Sequence, residues 1–394
     1  MLPKRSRSCG SSWRSESIVD DLRYRSSPSF ELKLLADLAE EQREPFLELE
    51  RDPDFYGLLV PKPPLKRNVI SVTRQMADLF RSLSTPSTLD DPDAVDLVLD
   101  GVLEVETDEG FVSGADAYSR VVRASGAPPS PQGAPEARTT RDLSLTALLY
   151  AQDLETDDPT TLTQALYRFN RIPLSPFWRN RFATAEAILA HLGADRGALR
   201  ALLERDWIAS QRPAFAYWQS KEGMRRGENE VTYKLYVSPR PERMRDAFET
   251  VVRVLSTFPG TPFKIGNTAS GLLRPDKFVA YFKTRERLGE VADVLKRELA
   301  GCEAQGVPFT AAFDDNGLLS WGVDPPDSDR ALQWLQRESW RYWVLKRLGS
   351  ALAVAKSART ANAIEPWRFA VARAERHGVD VDSWTPSARL WSAA

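Results

Sequence analysis

The stretch TPFKIGNTASGLLRPDKFVAYF, residues 261–282, decides the fold of this 394-residue chain. It opens on Phe-Lys-Ile-Gly, turns through a glycine-bearing loop, restarts at Arg-Pro-Asp and runs into the apolar segment 278–282. Both ends read as strands, because β-branched and aromatic residues bounded by Gly and Pro fit a pleated, half-buried surface. Successive side chains of a strand point to opposite faces, so Lys264 is expected to face away from Phe263 and Ile265. Between apolar strand neighbours its amine is expected to be partly desolvated, which lowers the pKa and makes a neutral amine accessible as a general base. Arg274 precedes Pro275 and takes an extended or turn conformation, in which its planar fork can hold two phosphate oxygens.

Upstream, EVTYKLYVSPRP at 230–241 alternates as a strand and stops at proline, with Lys234 and Tyr236 on one face. The helix ERMRDAFETVVRVLSTF separates it from the opening stretch. Downstream come the helix TRERLGEVADVLKRELAGC, the strand PFTAAFDDNGLLSWGV and a helical region rich in Trp and Arg. Residues 228–394 therefore read as an α+β domain with a mixed sheet. In SWRYWVLKRLGS, Arg341, Lys346 and Arg347 are interleaved with aromatic residues. Arg341 and Arg347 lie about 240° apart round a helix, so at most one is expected to reach a common site.

Towards the N-terminus, residues 141–210 carry 3.6-type apolar spacing and read as mostly helical, within a helical region bounded at 141–227. Residues 125–140, SGAPPSPQGAPEARTT, read as a linker, and residues 1–29 as a disordered basic tail. Between them, residues 30–124 read as a helix-like start (30–50), a hairpin around a Pro/Lys turn, a helix at RQMADLFRSL, a helix at DAVDLVLDG and a small hairpin. That order describes a winged-helix-like module.

The 53 Lys and Arg residues against 55 Asp and Glu give a net charge of -2, so any anion site must be local rather than the whole surface. Cys9 and Cys302 are too few and too far apart for a disulfide framework or a zinc site, which points to a reducing, cytoplasmic setting. His191 and His377 are the only histidines, which leaves chemistry to Lys, Arg, Tyr, Asp and Glu. No apolar run approaches the roughly 20 residues of a membrane span. No metal and no cofactor are expected.

The quoted strands, TYKLYVSP, then TPFKIGN, then RPDKFVAYF, resemble the core of the HopA type III effector family, itself related to the OspF/SpvC phosphothreonine lyases. The resemblance spans about residues 228–350. It implies Lys264 as the base that removes an α-proton, with Arg274, Arg341, Lys234 and Arg347 as candidate phosphate ligands and Asp276 and Tyr281 in support. Those lyases place a histidine where this chain has Tyr236, so Tyr236 is expected to serve as acid or hydrogen-bond donor. Residues 55–114 resemble the PqqD-like recognition elements of ribosomal peptide maturation, in which a leader peptide adds as a strand. Winged helices also hold DNA, but the acidic face Asp90, Asp91, Asp93 and Asp96 is ill suited to phosphates, so no nucleic acid is expected.

Together these resemblances imply a tailoring lyase that eliminates phosphate from phosphoserine or phosphothreonine of a precursor peptide, giving dehydroalanine or dehydrobutyrine as in lanthipeptides. Its partners would be the leader and phosphorylated core of that peptide, a separate kinase and other maturation enzymes. The competing expectation is a non-catalytic partner that presents the peptide to another enzyme.

Overall fold

The computed structural model describes residues 22–89, 91, 93–122, 139–222, 232–325, 338–360 and 363–387, so residues 1–21, most of the expected linker and Asp90 lie outside it. The chain is α+β and divides into two units. The smaller holds residues 1–65, 69–127 and 357–365; the larger holds 66–68, 128–356 and 366–394. Among the described residues no helix is long and apolar enough to cross a membrane.

The smaller unit contains strands β1 (Arg23–Ser26), β2 (Phe30–Lys33), β3 (Gly57–Pro61), β4 (Ile70–Val72), β5 (Ser87–Thr88), β6 (Leu103–Thr107) and β7 (Gly110–Val112). They form one sheet ordered β5-β1-β6-β7 and another ordered β2-β3-β4. The hairpin β3-β4, the helices Arg74–Ser82 and Ala94–Leu99, and the hairpin β6-β7 follow in the expected order. Two expectations fail. Residues 23–26 lie within the stretch read as a tail, yet they form a strand because Tyr24 is fully buried. Residues 30–33 lie within the stretch read as helix-like, yet they pair with β3, and helical turns begin only at Leu35.

The larger unit opens with helices Thr140–Asp153, Pro159–Arg168, Pro176–Arg181, Ala185–His191 and Gly197–Asp206. Its strands are β8 (Trp207–Arg212), β9 (Phe215–Ser220), β10 (Tyr233–Val237), β11 (Phe263–Gly266), β12 (Phe278–Phe282), β13 (Ala311–Ala312) and β14 (Leu319–Val323). They form one sheet ordered β13-β14-β10-β12-β11-β9-β8. The small ladder of β15 (Val379–Asp380) and β16 (Thr385–Pro386) stands apart. Every pair in the seven-stranded sheet is antiparallel, which corrects the expected mixed sheet. The reason lies in the crossovers. The helix Met244–Ser256 links β10 to β11, and the helix Arg285–Glu298 separates β12 from β14. Each joins strands that run parallel but are not adjacent, and an antiparallel strand lies between them. This is the split βαββαβ arrangement.

Both crossover helices pack on one face, where Phe248, Val252, Phe263, Phe278, Leu288 and Leu295 share the main apolar core. Burying a side chain of this size contributes about 1.5–3 kcal/mol. The opposite face carries a smaller group, Tyr236, Val279, Tyr281 and Val307, with Tyr217 against it. That second face holds the candidate site.

Candidate active site

Strand register lines up the functional side chains across the second face. Tyr217, Lys264, Val279, Tyr236 and Ser320 are successive cross-strand partners in one row, and Tyr281, Lys234 and Gly322 form the next. Residues directly opposite in an antiparallel pair stand close enough for their side chains to interact. Lys234 and Tyr236 share a face and Lys264 faces away from Phe263 and Ile265, as the alternation predicts, and the register adds that Lys264 and Tyr281 lie on the same face as Lys234 and Tyr236.

Lys264 is half-buried, and among the described residues its amine makes no hydrogen bond and no ion pair. It packs instead 4.1 Å from the centroid of the Phe215 ring and 5.9 Å from that of Tyr281. Burial, followed by the charge of Lys234, lowers its pKa to about 8. Lys234 differs in that its amine is bonded to the Asp324 carboxylate, with both side chains mostly buried.

Arg274 stands on the same side, with its guanidinium 5.5 Å from the centroid of the Phe215 ring. Its fork is already filled: Nε and Nη2 donate to the two Asp276 carboxylate oxygens at 2.8 and 2.7 Å. Pro275 turns the chain between them, so a residue and its second neighbour close a bidentate pair. Arg341, buried at the start of the helix Trp340–Lys356, places Nη1 3.3 Å from Asp276 Oδ2. Its other donors go to the carbonyls of Pro308 and Tyr167, at 3.1 and 2.9 Å. Burial opposes ionisation of Asp276, but Arg341 and then Arg274 outweigh it and hold the carboxyl well below the usual carboxylate range. Burial likewise opposes the charge on Arg274, and its bonds to Asp276 hold its pKa above the ordinary value.

The Asp276 carboxylate is thus the anion that Arg274 and Arg341 face in this state. Lys234, Lys264, Arg274 and Arg341 surround two carboxylates, Asp276 and Asp324, so with Lys264 protonated the face keeps an excess of positive charge. Among the described residues, two buried atoms on this side lack a hydrogen-bond partner: Arg341 Nη1, whose approach to Asp276 is an ion pair without hydrogen-bond geometry, and Ser320 Oγ. A buried donor without a partner costs about 1–3 kcal/mol.

Tyr236 is buried in the row between Val279 and Ser320. Burial raises its pKa, so the phenol stays protonated. Tyr281 is raised in the same way, first by burial and then by Tyr217, whose ring stacks on it at 5.8 Å. Arg347 lies 3.4 Å over the Trp343 ring centroid and donates to the Trp343 carbonyl.

Three residues escaped the sequence reading. Tyr167, on the helix Pro159–Arg168, accepts from Arg274 Nη2 and lies 3.4 Å from Asp276 Oδ2. Nothing in ALYRFN marks that tyrosine, because its role depends on packing against the turn before β12, more than a hundred residues away. Ser320 shows only as a small polar residue in an apolar strand. Lys277 is fully buried, donates to the Pro239 carbonyl at 2.6 Å and to Gln305 Oε1, and is lowered by burial to about 7. Its one sequence signal is a lysine set directly against FVAYF. Among the described residues no cluster of His, Cys, Asp and Glu is arranged to hold a metal ion.

No protein-family model and no curated protein matches the chain. Solved structures to which it is similar include the effector protein from Pseudomonas syringae pv. syringae strain 61, at 11% identity over 63% of this chain and 97% of that one, with a TM-score of 0.37. The effector protein from Pseudomonas syringae pv. tomato strain DC3000 is similar at 12% identity over 63% and 98%, with a TM-score of 0.35. The Chromobacterium violaceum VirA (SpvC) phosphothreonine lyase effector protein is similar at 13% identity over 30% and 65%, with a TM-score of 0.25. These likenesses are too distant to bear on the reaction.

Proposed function

We propose that the larger unit is a lyase that eliminates phosphate from phosphoserine or phosphothreonine in a peptide. The observation that carries this reading is Lys264: a desolvated amine with a pKa lowered to about 8, on the same sheet face as an arginine pair and a protonated phenol. A base near neutrality beside an anion clamp is what β-elimination from a phosphoester requires. The neutral Lys264 amine takes the α-proton, the electron pair left on Cα forms the Cα=Cβ bond, and the Cβ–O bond breaks with its pair leaving on phosphate. Arg274, Arg341 and Lys234 neutralise the charge that gathers on the departing phosphate, and Tyr236 donates a hydrogen bond to its bridging oxygen. A finer reading, in which the substrate is a ribosomally made precursor phosphorylated by a separate kinase, rests on the sequence of residues 55–114 alone.

One observation favours a second reading, a non-catalytic partner that binds a peptide for another enzyme: the Arg274 fork is filled by Asp276. Mass spectrometry of a phosphothreonine peptide incubated with the protein separates the two. Loss of about 98 Da with the wild type but not with Lys264→Ala is the expected result, since a general base contributes about a hundredfold or more. A phosphopeptide that binds and keeps its phosphate would decide for the non-catalytic partner.

A further inference from the structure

Tyr167 lies outside the stretch that resembles the lyases, yet it touches each member of the arginine–carboxylate cluster. Its hydroxyl accepts a hydrogen bond from Arg274 Nη2 and lies 3.4 Å from Asp276 Oδ2. Its carbonyl accepts from Arg341 Nη2 at 2.9 Å. Its ring centroid is 5.1 Å from the Arg274 guanidinium and 4.8 Å from that of Arg341. Tyr342 braces the ring edge-on at 5.8 Å. Burial raises the Tyr167 pKa, with the Asp276 charge adding to it, so the hydroxyl stays neutral.

Two guanidiniums that share one carboxylate repel each other, and each long side chain has rotamers to spare. The negative face of an aromatic ring attracts both cations at once, and a fixed hydroxyl and carbonyl set their direction. We propose that Tyr167 is a positioning residue of the anion site, one that holds Arg274 and Arg341 at the spacing a phosphate needs. This deepens the lyase reading, and the kinetic part of its test rests on that reading.

The test compares wild type, Tyr167→Phe and Tyr167→Leu by calorimetric titration with inorganic phosphate and by turnover of a phosphothreonine peptide. The Phe variant keeps the ring and the backbone carbonyl and loses the hydroxyl's two hydrogen bonds, from Arg274 and to Asp276, so its phosphate affinity should fall about threefold. The Leu variant also loses the ring, so its affinity should fall about tenfold or more, with a matching rise in KM and little change in kcat. A merely structural role would lower the melting temperature and kcat and leave KM alone. A folded Leu variant that binds phosphate like the wild type overturns the proposal; if that variant does not fold, a Phe variant with unchanged affinity does so. A wild type that does not bind phosphate overturns it as well. A wild type that binds phosphate and releases none from peptides sinks the lyase reading, while the titrations still decide the role of Tyr167.

Discussion

A lysine amine gives up its proton near neutral pH only where water is kept from the ammonium, and on this sheet Lys264 meets that condition. Burial and the neighbouring Lys234 charge bring its pKa to about 8, against the 10.5 of a free side chain. The second proton of a phosphoester leaves near pH 6, so the substrate is already a dianion when Lys264 begins to titrate. The rate constant kcat/KM is therefore expected to rise with pH through about 8 and then level off. Lys264→Arg sharpens the test, because arginine keeps the positive charge and cannot be deprotonated in this range. If Lys264 acts as a base, the Arg variant is as inactive as Lys264→Ala. If it acts only as a cation, the Arg variant keeps most of the rate with a flat pH profile, and the wild-type rate falls as the pH passes about 8.

At the scale of elements, two helices bring their residues to the sheet, and the contact between them is tight. Gly349 on the helix Trp340–Lys356 lies against Thr163 on the helix Pro159–Arg168, where an added Cβ would fall 2.2 Å from Thr163 Oγ1 and 2.9 Å from its backbone nitrogen. The first helix carries Arg341 and the second Tyr167, so parting them loosens the anion site. Gly349→Val is expected to destabilise the protein by about 1–3 kcal/mol in urea unfolding, with a rise in KM in the fraction that remains folded. Unchanged unfolding would show that the helices move apart without cost. The sequence reading reached some of these elements and not others. Phe263-Lys264-Ile265 declares its alternation within three residues, and the face of Lys264 was legible. Strand β8 was not, because Trp207 is the one buried residue in a strand that is otherwise exposed, and the helix before it runs directly into it. The Asp276 carboxylate was read as a supporting group, but that it fills the Arg274 fork depends on how Pro275 turns the chain, which composition does not reveal.

For the molecule as a whole, near-equal numbers of acidic and basic residues keep net self-repulsion small around neutrality, so the pH dependence of stability is governed by individually shifted groups. Asp276 has a folded pKa below its unfolded 3.8, so its contribution is complete above that value and is lost as the pH falls through the folded one. Lys264 and Lys277 are lowered to about 8 and about 7, from 10.5. Up to those values both states carry the proton and the cost of burying the charge is fully present. Between them and 10.5 the unfolded chain binds more protons than the folded one, so stability rises with pH. Tyr167, Tyr236 and Tyr281 act in the opposite sense: their pKa values are raised above 10.0, and they draw stability down once the unfolded phenols ionise. The expected curve climbs out of acid, is level to about neutrality, climbs again and turns over above about pH 10. Lys277→Met isolates the second climb. Losing the bonds to Pro239 and Gln305 destabilises the variant at every pH, but it has no proton to release at this position. The stability gap between wild type and variant, measured by urea unfolding at about pH 6 and about pH 9.5, should widen at the higher value. A gap that stays constant would mean that Lys277 keeps its proton in the folded protein, and that its bonds to Pro239 and Gln305 stabilise the ammonium enough to offset its burial.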